Sequence, residues 1–171
     1  MEKRKRVIIF LENGFEDSEF VYPYYRFQEA EFNVDIVAPL ANKEYVGKHG
    51  LTFKSNLAPE QVNIDDYSGL IIPGGFAPDR LRINKQIVNL IQQANKKSKI
   101  IAAICHGPQL LIEAKIVKGK KMTSYVSVST DLKNAGAIFL DEPVVKDHNI
   151  ITSRHPRDLP QFCKATIEAL T

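Results

Sequence analysis

Residues Ile100 to Gln109 read IIAAICHGPQ, and this stretch decides how the rest of the chain is read. The apolar run Ile100 to Ile104 has no polar alternation, the pattern of a strand buried on both faces in the middle of a parallel sheet. It stops at Cys105. His106, Gly107 and Pro108 follow, then Leu110, Leu111 and Ile112, which reads as a sharp turn into a helix with proline in its first turn. A strand, a cysteine on a tight turn and a helix make a nucleophile elbow, in which the reactive side chain stands above the sheet and the next N–H is free to hold an oxyanion. Small neighbours are required there, and Ala103 and Gly107 supply them. The helix start also favours the thiolate, so an exposed, acidic Cys105 is the candidate nucleophile.

Upstream, Val7 to Leu11 reads as the first strand. The turn at Asn13-Gly14 leads through Glu16, Asp17 and Glu19 into an aromatic helix holding Phe20, Tyr22, Tyr24, Tyr25 and Phe27, expected to be largely buried and to bend or restart near Pro23. A carboxyl beside that much apolar surface is costly to ionise, so Glu19 is a candidate proton donor with a raised pKa. Phe32 to Ala38 reads as the second strand, and Glu44 to Leu57 as two short extended pieces turning at Gly47-Lys48-His49-Gly50, where His49 is read as surface polarity. The strand Leu70 to Ile72 then opens into PGGFAPD, Pro73 to Asp79, ahead of a helix over 80–96. Gly74 and Gly75 permit close approach of backbone to a ligand, and their N–H groups are candidates for oxyanion binding.

Strands joined by helices in a doubly wound parallel sheet all point one way, so the loops after Leu11, Ile72 and Ile104 share one edge. That topology alone gathers Glu19, Gly74, Gly75, Asp79, Cys105 and His106 at one crevice. The expected fold is therefore α/β, a mostly parallel sheet sandwiched by helices, in a single domain spanning 1–171. Beyond the elbow, Tyr125 is a candidate hydroxyl donor near the crevice. A helix over 129–134 ends at Gly136, strands are expected at 137–140, 144–146 and 150–153, and His148 falls in an exposed turn. An amphipathic helix over 158–170 closes the chain.

Composition excludes several classes. A formal charge of +3 is too small to argue for nucleic acid, and the basic residues Lys3 to Arg6 read as a solvated end. No apolar run is long enough to cross a bilayer, and the N-terminus lacks the features of a signal peptide, so no membrane partner and a cytoplasmic location are expected. Cys105 and Cys163 match no paired metal spacing, and Cys163 sits in an apolar helical pattern as a core residue. No metal or other cofactor is expected.

The motifs FEDSE, VGKHG, PGGFAPD, AICHGPQ and TSRHP, in this order from about Val7 to Phe162, make the chain resemble the PfpI-like family of intracellular cysteine peptidases and protein deglycases. The resemblance implies a flavodoxin-like fold. It also implies that Glu19, the last acid of FEDSE, contacts the cysteine, and that His106 acts as base with a carboxylate lent by a neighbouring subunit. The matching carboxylate is Asp79, one methylene shorter than the usual glutamate. A second departure is TSYVS at Thr123 to Ser127, where similar proteins commonly have TSYPG.

Two functional classes follow. In the first, Cys105 attacks a carbonyl, Glu19 manages a proton, and Gly75 and His106 hold the oxyanion; the substrates implied are peptides or small aldehydes such as methylglyoxal and their adducts on proteins, with a role in stress protection. Self-association as a dimer or higher homo-oligomer is expected, and peptidase work would need it to complete a triad. The alternative is a non-enzymatic redox-sensing or chaperone-like stress protein that uses oxidation of Cys105.

Overall fold

The computed structural model describes residues 5–171. Its first half alternates strand and helix: β1 (Arg6–Phe10), α1 (Asp17–Glu29), β2 (Asn33–Val37), the hairpin β3 (Glu44–Val46) and β4 (Thr52–Lys54), then β5 (Gly69–Ile72). The second half continues through α2 (Ala77–Leu81), α3 (Lys85–Lys96), β6 (Ile100–Ile104), α4 (Pro108–Glu113), β7 (Lys121–Met122) and α5 (Ser129–Asn134). It closes with β8 (Ile138–Phe139), β9 (Val144–Asp147), β10 (Ile150–Ser153) and α6 (Leu159–Leu170).

The central sheet has the order β2-β1-β5-β6-β10-β9, parallel throughout except for the antiparallel pair β10 and β9. Helices α1 and α6 pack together on one face, while α2, α3 and α4 pack beside one another, with α3 against β5 and β6. Both faces are thus covered, which is why β5 and β6 are apolar without alternation. Gly69 allows α6 to approach: a Cβ there would lie 2.9 Å from Leu170 and 2.8 Å from the Ile100 carbonyl. The pairs β3/β4 and β7/β8 lie outside this sheet.

Three expectations need correction. Helix α1 runs unbroken through Pro23, and it is only half buried: Phe20, Pro23 and Phe27 face the core while Tyr22 and Tyr25 are exposed. A helix displays every side of its aromatic run, whereas the core takes only one stripe. The helix expected over 80–96 is two, because the Asn84 side chain accepts the N–H groups of Gln86 and Ile87 at 3.0 and 3.2 Å and caps a new start. The basic N-terminal run is not simply a solvated end: Lys3 and Arg4 lie outside the described residues, but Lys5 Nζ donates to the Leu170 carbonyl at 2.7 Å and Arg6 pairs with Asp35 at 2.7 Å. Among the described residues no helix is long and apolar enough to cross a membrane.

Candidate active site

The sheet brings the ends of β1, β5 and β6 to one edge, and the loops there form a cavity of about 200 Å³. Cys105 stands at its floor with φ +61°, a left-handed conformation that a non-glycine residue adopts only when its surroundings hold it there. Backbone bonds do so: Cys105 N–H donates to the Ser153 carbonyl at 3.0 Å, and the Cys105 carbonyl accepts the Tyr125 N–H at 2.9 Å. Gly107 must be glycine, since a Cβ would lie 2.6 Å from the Ile72 carbonyl.

The surroundings of the sulfur differ from the bare, acidic thiol that the sequence suggested. Cys105 is only 8% exposed. Burial pushes its pKa well above the ordinary thiol value, and the nearby Glu19 carboxyl pushes the same way, against the N–H groups of Gly75 and His106, which point at the sulfur. Helix α4 is too short and the sulfur too buried for its N-terminus to prevail.

Glu19 is completely buried on the first turns of α1. Its Oε2 accepts the Gly74 N–H at 2.8 Å, and its carboxyl also interacts with the Cys105 side chain. Oε1 has no hydrogen-bond partner and is the oxygen open to a proton. Burial, helped by repulsion from Glu16, pushes the Glu19 pKa up to about 8 despite the Gly74 bond. At neutral pH Glu19 therefore carries its proton beside the Cys105 thiol, and a neutral carboxyl removes the charge that would oppose a thiolate as it forms.

The loop after β5 contributes backbone. Of the two glycine amides, Gly74's is engaged by Glu19 and Gly75's faces the sulfur. Gly75 has φ +78°, and a Cβ there would lie 2.4 Å from the Gly14 carbonyl, so the loop is locked against the turn after β1. Asp79 sits exposed on α2 and does not line this chain's cavity.

His106 and Cys105, adjacent in sequence, converge because the turn breaks the alternation of regular structure: Sγ lies 3.2 Å from Nδ1. The other ring nitrogen, Nε2, lies 3.2 Å from Ser127 Oγ, and Tyr125 stacks on the imidazole with ring centres 5.2 Å apart. Burial, followed by the charge of Lys48, pushes the His106 pKa down, so the ring is neutral at physiological pH. Tyr125 thus lines the cavity through its ring.

Sequence reasoning singled out His49 in the β3–β4 turn and passed over its neighbour. Both are exposed and both lie against Glu16, His49 Nε2 at 3.4 Å and Lys48 Nζ at 3.2 Å, but it is Lys48 that lines the cavity and lies over the exposed Phe76 ring at 5.1 Å. The signal was the acid directly before Ser18: the Asp17 carboxylate accepts the N–H groups of His49 and Leu51 at 3.0 and 2.8 Å and fastens that turn over the site. Ser127 was also passed over; nothing in local spacing points its hydroxyl at His106. Among the described residues no cluster suits a metal ion.

Known proteins can be set beside this geometry. An Archaeoglobus fulgidus protein without a functional name is 48% identical over 165 residues, 96% of this chain and 98% of that one. A Pyrococcus furiosus protein named Deglycase PfpI is 41% identical over 164 residues, covering 95% and 98% of the two chains. A crystal structure from Anabaena variabilis, of a two-domain protein with DJ-1/ThiJ/PfpI-like and ferritin-like domains, superposes with a TM-score of 0.96 at 39% identity. That match covers 98% of this chain but 48% of the other, so this chain spans about half of that protein. Residues 5–169 match the DJ-1/PfpI family, and the chain belongs to it.

Proposed function

We propose that this protein is a cysteine-dependent hydrolase that acts on small reactive aldehydes, with methylglyoxal as the test substrate, and on their adducts with protein side chains. The observation that carries this reading is the contact of a protonated, fully buried Glu19 with Cys105, whose sulfur also receives the N–H groups of Gly75 and His106. The deglycase name of the Pyrococcus furiosus relative supports the substrate class.

In the proposed reaction the Cys105 thiol gives its proton to His106 Nδ1 as the sulfur attacks the aldehyde carbon. An S–C bond forms, the C=O π pair moves to oxygen, and Glu19 protonates that oxygen to give a hemithioacetal. The N–H groups of Gly75 and His106, released from the sulfur's charge, stabilise the oxygen as it develops. Glu19, now a carboxylate, removes the proton from the former aldehyde carbon and returns it to the adjacent carbon, while the hydroxyl proton moves to the former ketone oxygen as the thioester carbonyl forms. Water then cleaves the S–C bond, releasing a 2-hydroxy acid and restoring the thiol, and the proton held on His106 passes back to Glu19. The net change is addition of one water to the ketoaldehyde, with no external oxidant or reductant.

A cavity of about 200 Å³ suits a three-carbon substrate better than a peptide. Peptide cleavage would additionally need Asp79 of a second copy to reach His106; the aldehyde reaction has no such requirement. Stress protection in the cytoplasm fits removal of such aldehydes, and a homo-oligomer fits the family reading. The test is disappearance of methylglyoxal with matching formation of lactate. Wild type should turn over and Cys105→Ala and Glu19→Gln should not; cysteine-independent lactate formation would overturn this reading, and oxidation of Cys105 without any turnover would replace it with the redox-sensor alternative.

A further inference from the structure

We infer that Ser127 is the positioning residue for His106, fixing the imidazole tautomer so that Nδ1 faces the sulfur as a proton acceptor. This deepens the proposed hydrolase reading, on which the role of His106 as acceptor rests. The imidazole is bracketed within one chain, Sγ lying 3.2 Å from Nδ1 and Ser127 Oγ 3.2 Å from Nε2. A neutral imidazole carries one proton, so the two contacts are not independent. If Nε2–H donates to Ser127 Oγ, Nδ1 presents its lone pair to the thiol; if the proton moves to Nδ1, the ring cannot take one from the sulfur. Burial keeps Cys105 as the thiol and His106 neutral, which matches the first arrangement.

The segment that carries the hydroxyl is held at its backbone. Thr123 N–H donates to Thr152 Oγ1 on β10 at 2.9 Å, Tyr125 N–H donates to the Cys105 carbonyl at 2.9 Å, and Val128 N–H closes a tight turn onto the Tyr125 carbonyl at 2.9 Å. Ser127 lies inside that turn, and Tyr125 stacks on the ring that Ser127 contacts. Charged and titratable groups on the other elements around His106 are Glu16 and Glu19 at the start of α1, and Lys48 on the β3–β4 turn. None of these has a hydrogen bond to Nε2. Asp79, the carboxylate expected to orient the ring, is exposed on α2 and away from the cavity of its own chain. A serine hydroxyl orients the ring without lending it a charge, so the base stays weak and neutral.

The experiment uses full-length protein labelled with ¹⁵N-histidine, the His106 signals being assigned by their loss in His106→Gln. Two-bond ¹H–¹⁵N correlations report which ring nitrogen bears the proton, and iodoacetamide alkylation reports the reactivity of Cys105. Wild type should show protonated Nε2. Ser127→Ala should show a mixture of tautomers and alkylation several-fold slower, with the same melting temperature because the side chain is exposed; Ser127→Thr should restore both. An unchanged tautomer in Ser127→Ala overturns the inference, and so does a loss that Ser127→Thr fails to restore, since the loop backbone would then be responsible. Absence of methylglyoxal turnover would overturn the hydrolase reading while leaving the tautomer measurement intact.

Discussion

Glu19 and Gly74, fifty-five positions apart in sequence, are joined by a 2.8 Å hydrogen bond from the Gly74 N–H to Glu19 Oε2 in a fully buried setting. The bond ties the loop after β5 to the first turns of α1 and sets the carboxyl against Cys105. A single N–H does not compensate a buried charge, so the carboxyl keeps its proton near neutrality.

That raised pKa has a stability consequence with a definite sign. Glu19 titrates near the ordinary 4.5 when unfolded and near 8 when folded, so between these values the folded state binds the extra proton. Stability is full below about 4.5 and falls as the pH rises through about 8. Glu19→Gln keeps the shape without the titration. Thermal melts across this range should decline with pH in wild type and run flatter in the variant, which becomes the more stable of the two at alkaline pH.

Gly74 tolerates no side chain. A Cβ there would lie 2.6 Å from Glu19 Oε2, 2.7 Å from Cys105 Cβ and 2.9 Å from the His106 backbone nitrogen. Gly74→Ala should cost roughly 1–3 kcal/mol through forced displacement and remove turnover as well, measured by urea unfolding and by lactate formation.

The strained turn offers a reversal of the usual ranking. At φ +61° a glycine is relaxed and an alanine is not. Cys105→Gly should therefore melt higher than Cys105→Ala, by roughly 1 kcal/mol, although both lack the sulfur and both should be inactive.

The cap at Asn84 supplies a contrast away from the chemistry. Asn84→Ala leaves the N–H groups of Gln86 and Ile87 without their side-chain acceptor and should cost about 1 kcal/mol while turnover is unchanged.

Much of this arrangement is legible in the linear chain, for reasons that separate the readable from the unreadable. Ile100 to Ile104 announces a strand covered on both faces, and the strand–helix alternation then places the loops of β1, β5 and β6 at one edge. Cys105 and His106 are visible because unusual residues interrupt a regular pattern. The acidity of the sulfur is not visible, since it depends on burial and on a carboxyl arriving from eighty-six positions away. Nor is Ser127, whose hydroxyl meets His106 only through the fold of a tight turn held to Cys105 and β10. The break between α2 and α3 was readable in Asn84, a good cap inside an otherwise helical pattern.

The central claim is that Glu19 holds the proton that the chemistry at Cys105 needs. Carbonyl-region infrared difference spectra of wild type and Glu19→Gln at pH 7, with lactate formation from methylglyoxal followed in the same samples, test it directly. A protonated carboxyl band present in wild type and lost together with turnover in Glu19→Gln is the expected result. An ionised Glu19 at pH 7, or undiminished turnover in Glu19→Gln, would contradict the account.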